Sequence, residues 1–176
     1  MLSLTKLITL SILLLTGLPT LASAALGDYF AQTSWLAENR SQVVILDARQ
    51  TPLFLIGHIK GAHHLPRSEF LDKRDGVKSL VPTTTAFEAL MEKFGITAET
   101  TVITYAEDGN PYAARLAWTL RYHGHNKTLV LDGGYEKWRQ EGHPTSLLPT
   151  AAAVPSSYRV STPGKARAEA DYVLTQ

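Results

Sequence analysis

Three groups of side chains in this sequence are of types that do chemistry. Glu107 and Asp108 lie in the stretch AEDGNP, directly after the apolar run TVITY. Paired carboxylates on such a loop could serve hydrolysis as a general base, but exposure at a loop tip argues against the shifted pKa values that role needs. Asp47 and Arg49 close the run VVILDAR, where a carboxylate and a guanidinium could act on a substrate or on each other. His58, the pair His63-His64, and His123 with His125 invite a metal reading. The residue that begins the first of these loops is Ala106, which can neither attack nor bind through its side chain.

The absence of cysteine limits the chemistry further. With none among 176 residues, the chain has no thiolate nucleophile, no persulfide carrier and no soft metal ligand. The histidines have no carboxylate at obvious ligand spacing, and His123 and His125 bracket Gly124, where imidazoles can cap helix carbonyls. Neither a metal nor another cofactor is expected. A Ser/His/Asp hydrolase is not supported, because no G-x-S-x-G elbow is present.

The 106–111 loop has two readings. Gly109 permits a sharp turn, and the amides of Ala106, Glu107, Asp108, Gly109 and Asn110 can converge before a helix entered through Pro111. Converging N–H groups at a helix start favour anions. Glu107 and Asp108 oppose that, and Arg115 could offset part of their charge. The alternative is a plain strand-to-helix connection that binds nothing. For Asp47 the structural reading is stronger: a carboxylate at a strand end accepts backbone amides, with Arg49 as its charge partner.

These groups need elements to position them. The runs at 43–49, 101–105 and 128–131 are apolar and partly β-branched, as buried parallel strands are. A further short strand is expected around 63–65. Between them, Phe87, Leu90, Met91 and Phe94 recur at helical spacing over 85–94, with Gly95 as a stop. Ala113, Leu116, Ala117 and Leu120 form one face of a helix that closes at Gly124. Gly133-Gly134 turns into a helix over 135–140, and 33–40 forms a short helix with Trp35 and Leu36 on its buried side. Trp118 and Trp138 are likewise expected in the core. Strands alternating with helices predict an α/β fold with a central parallel sheet covered on both faces.

The ends and the charge bound the rest. Lys6, the apolar LITLSILLLTGL and Ala22-Ser23-Ala24 make up a signal peptide over 1–24, implying export to a periplasm or beyond. Its apolar run is short of the ~20 residues that span a bilayer, so no stable membrane insertion is expected. The formal charge is +1 with 17 basic and 16 acidic residues, which attracts neither nucleic acid nor an anionic membrane. Residues 25–144 form the predicted domain, the Pro-, Ala-, Ser- and Thr-rich 145–160 reads as a linker, and 161–176 reads as the start of a further segment.

Four motifs together resemble the rhodanese (sulfurtransferase) family. VVILDAR and GHIKGAHHLP are similar to its strand-D-x-R and G-H-I-P-G-A-x-x-x-P signatures, with Lys60 in place of proline. VITYAEDGNPYAARLAWTLRYHGH and VLDGGYEKW resemble its active-loop strand and helix and its D-G-G-x-x-x-W turn. The resemblance runs from about Trp35 to Pro144 and implies a three-layer α/β domain. It also implies that Ala106 stands where active members carry the persulfide-bearing cysteine. AARLAWTLRYHGH is closer to the N-terminal, non-catalytic half of two-domain thiosulfate or 3-mercaptopyruvate sulfurtransferases. The implied partner is a catalytic rhodanese domain, on the same full-length chain or another, and the implied ligand is a small sulfur anion. A free-standing module that binds an anion or a protein on this fold is the competing reading.

Overall fold

The structure is a computed structural model, and it describes residues 29–160. The expected signal peptide and the segment after residue 160 lie outside the described residues.

Alternation along the strands decides the layering. In β2 (Val43–Asp47) and β7 (Thr101–Tyr105), Leu46 and Val102 point to one face, with Val44 packed at its margin. Ile45, Ile103 and Tyr105 point to the other. A strand buried on both faces needs a cover on each, and the helices supply it. α4 (Thr84–Lys93) and α5 (Tyr112–Tyr122) bury Phe87, Leu90, Met91, Leu116 and Leu120 on the first face. α1 (Thr33–Asn39) and α6 (Gly134–Gln140) bury Leu36 and Trp138 on the second.

The five strands run in the order β1-β8-β7-β2-β4, all parallel, where β1 is Phe30–Ala31, β4 is Ala62–His64 and β8 is Thr128–Leu131. This is the α/β architecture expected from the sequence. Asp47 pairs in register with Tyr105, so β2 and β7 end side by side and their loops leave from one edge. Smaller elements decorate this frame: α2 (Thr51–Leu55), β3 (His58–Ile59), α3 (Arg67–Phe70) and the hairpin of β5 (Asp72–Arg74) with β6 (Val77–Leu80).

The segment expected as a linker is bound along the domain. β9 (Thr145–Ser146) pairs antiparallel with β3. Thr150 Oγ1 then donates to Ala62 O at 2.7 Å, and Ser156 Oγ to Ile96 O at 2.6 Å. Tyr158 is only 4% exposed and belongs to the core cluster on the α4 side. The Pro-, Ala-, Ser- and Thr-rich composition of 145–160 hid that single aromatic anchor. Trp138 is fully buried, whereas Trp35 and Trp118 are half-buried.

Candidate functional site

β7 delivers Ala106 to the C-terminal edge of the sheet, where the loop before α5 begins. Ala106 itself is 1% exposed and packs in the α4–α5 core. Beyond it the loop folds on its own polar groups. Asn110 N donates to Glu107 O at 3.0 Å and Asn110 Nδ2 to Glu107 Oε2 at 2.8 Å. Asn110 Oδ1 then accepts the Tyr112 amide at 2.9 Å, so an asparagine side chain holds the entry to the helix after Pro111. Gly109 turns with φ +72°, a conformation that disfavours any side chain. Asp108 and Gly109 are exposed, and Glu107 and Asn110 are half-buried.

α6 closes the other side. Tyr135 N donates to Ala106 O at 3.0 Å, and Asp108 N donates to Glu136 Oε2 at 2.8 Å. Gly134, at φ +58°, lies so close that a Cβ there would stand 2.5 Å from the Ala106 carbonyl oxygen. The D-G-G turn is therefore the seat of the loop. A shallow cavity of about 250 Å³ opens between them, with Asp108, Gly109, Ala113, Asp132 and Gly133 in its wall.

Next to this loop, Asp47 is the centre of a buried ionic cluster. Its Oδ1 accepts the Arg49 amide at 2.9 Å and its Oδ2 accepts Arg49 Nη2 at 2.7 Å. Tyr105 Oη also donates to Asp47 Oδ2, at 2.5 Å. Arg49 reaches on to Gly57 O at 2.7 Å and stacks over the Tyr135 ring at 3.9 Å. Burial opposes the Arg49 charge, but hydrogen bonds and the charge of Asp47 hold its pKa above the ordinary value. Burial, then the Asp47 charge, pushes the Tyr105 phenol well above its usual range. Both groups are thus fixed in the states that bind each other, with Arg49 charged and Tyr105 protonated. The cluster joins the β2 loop, β7 and α6 behind the 106–111 loop.

Arg115 is not where the sequence reading needed it. Its Nη2 donates to Ser79 O at 2.9 Å, and its guanidinium lies 4.6 Å from the Trp118 ring centroid. Those contacts hold it toward the β6 side rather than against Glu107 and Asp108.

Four of the candidate histidines bond backbone carbonyls, whereas His63 lies against the Phe94 ring at 5.4 Å. His58 bonds Phe54 O and Leu148 O, His64 bonds Arg49 O, His123 bonds Pro82 O, and His125 bonds Thr100 O and Tyr158 Oη. Among the described residues, no cluster of three His, Cys, Asp or Glu could hold a metal. Sequence reasoning missed Tyr105, Tyr135 and Glu136. The register that sets Asp47 beside Tyr105 is a property of the folded sheet, and Glu136 had no signal that set it apart from a solvated helix face.

The sequence pattern of the Rhodanese-like domain matches residues 32–141. The chain is 30% identical over 148 residues to the thiosulfate sulfurtransferase of Gallus gallus, covering 75% of this chain and 51% of that protein. It is 34% identical over 151 residues to a putative thiosulfate sulfurtransferase of Mycobacterium bovis, covering 84% and 53% respectively. Among solved structures, a 3-mercaptopyruvate sulfotransferase of Escherichia coli shares the fold with a TM-score of 0.76 at 23% identity, over 84% of this chain and 60% of that one. The chain spans about half the length of these two curated relatives. With the matched pattern covering most of the described fold, the chain belongs to the rhodanese family as a rhodanese-like, sulfurtransferase-related domain.

Proposed function

We propose that this domain acts as the N-terminal, non-catalytic half of a thiosulfate/3-mercaptopyruvate-type sulfurtransferase, packing on a cysteine-bearing rhodanese domain and helping to shape its site. The observation that carries this is Ala106, buried at the start of a fully formed loop in a chain with no cysteine at all. Sulfur transfer requires a nucleophile that holds the sulfane sulfur, and no side chain here supplies a thiolate. The curated relatives, about twice as long as the matched region and named as sulfurtransferases, support a second domain as the partner.

The test combines the purified chain with a separately purified cysteine-bearing rhodanese domain from the same organism. Association is followed by sedimentation, and thiosulfate:cyanide turnover is measured with and without the chain. Binding together with a changed kcat/KM is expected. No association at 100-fold excess, with turnover unaltered, contradicts the reading and favours the free-standing module.

A further inference from the structure

Three backbone donors of the loop and its exit, those of Asp108, Asn110 and Tyr112, are already satisfied from within the chain. Glu136 Oε2 takes the Asp108 N–H at 2.8 Å. Glu136 is not on a free arm, because Tyr135 N bonds Ala106 O and Gly134 touches the loop backbone. Two further loop donors, Asn110 N and Tyr112 N, go to Glu107 O and Asn110 Oδ1, and Pro111 has no N–H to offer. Lys137, the neighbour of Glu136, is paired with Asp132 at 2.7 Å. An anion held by loop amides is what such geometry favours. Here that anion is a side chain of the domain.

We propose that Glu136 is a resident counter-anion that closes the 106–111 loop to external oxyanions and to sulfur donors of the thiosulfate class. The domain thereby carries two independent blocks to sulfur transfer, the missing thiol and an occupied loop. Glu107 and Asp108 add like charge around the cavity beside the loop, so a donor anion meets repulsion as well as an occupied amide. This deepens the non-catalytic part of the proposed function and does not depend on docking. Its failure would leave the docking reading standing.

The test uses the full chain and two substitutions. Glu136→Gln keeps an acceptor oxygen but removes the charge, and Glu136→Ala removes both. Sodium thiosulfate is titrated against ¹⁵N-labelled protein, with sodium chloride at matched ionic strength as control. The Asp108 and Gly109 amides of the parent protein should not respond, whereas those of Glu136→Ala should shift saturably. In an Ala106→Cys background, adding Glu136→Gln should speed alkylation by iodoacetamide at neutral pH by about twofold, because a negative charge that disfavours the thiolate is removed while a lower thiol pKa also softens its nucleophilicity. Equal alkylation rates in the two backgrounds would overturn the proposal. So would a saturable thiosulfate response in the parent protein.

Discussion

The Asp47 side chain has no solvent exposure, and its oxygens rely on the donors around them. Arg49 supplies three of them and Tyr105 the fourth. Asp47→Ala should leave a guanidinium that is 3% exposed without its counter-charge. Such a loss typically costs roughly 3–5 kcal/mol. Urea unfolding should register it as a clear drop in midpoint, and a change under about 1 kcal/mol would show the cluster to be incidental. The pair was legible in the sequence because two charges closing an apolar run have few other partners. Tyr105 was legible only as an apolar strand residue, since nothing in its own type announces a bond to a carboxylate 58 positions away. Arg115 misled for a related reason. A long side chain reaches several neighbours, and sequence spacing does not choose among them.

At the scale of elements, β7 and β8 were readable to the residue because each is a short run of apolar and β-branched residues, the composition of a strand covered by helices, with no charged side chain inside it. α4 and α5 were readable from helical periodicity and from the glycines that stop them. The 145–160 segment shows where that method ends. Its two-residue β9 is too short to have a pattern, and its attachment relies on hydroxyls, on backbone and on one ring. Tyr158 packs edge-on against Phe87, and its hydroxyl lies 3.2 Å from His125 Nδ1. Burial of an aromatic this complete is worth about 3 kcal/mol or more. Tyr158→Ala should therefore destabilise the domain by about that amount. It should also release the segment, giving early proteolytic cuts after β9. Unchanged protease resistance would mean that the hydrogen bonds alone hold the strap.

For the whole molecule, buried imidazoles set the response to acid. Burial lowers the pKa of His63, His123 and His125, with the charge of Lys127 adding a smaller push at His125. His123 illustrates the cause. Its Nε2–H donates to Pro82 O at 3.1 Å, while its Nδ1 has no partner among the described residues. A proton added there would be a buried, unpaired donor. The folded state consequently binds fewer protons than the unfolded chain. Stability is complete above the ordinary imidazole value of 6.5 and is lost as pH falls through it toward the lowered values. Unfolding free energy should fall as pH drops below the ordinary imidazole value of 6.5, with a slope approaching about 1.4 kcal/mol per pH unit for each proton taken up. His123→Gln, which can still donate to Pro82, should make that slope shallower. A slope identical to the parent's would remove His123 from the account.

The same molecule retains the family's fold, its loop and the seat under that loop, with alanine at the position where the resemblance implies a cysteine. The most direct test of that account is to incubate the purified chain with thiosulfate, remove the excess and assay protein-bound sulfane sulfur by cyanolysis. The expected result is none above a boiled control. Stoichiometric cyanolysable sulfur would contradict it, because some other group in this cysteine-free chain would then be carrying sulfur.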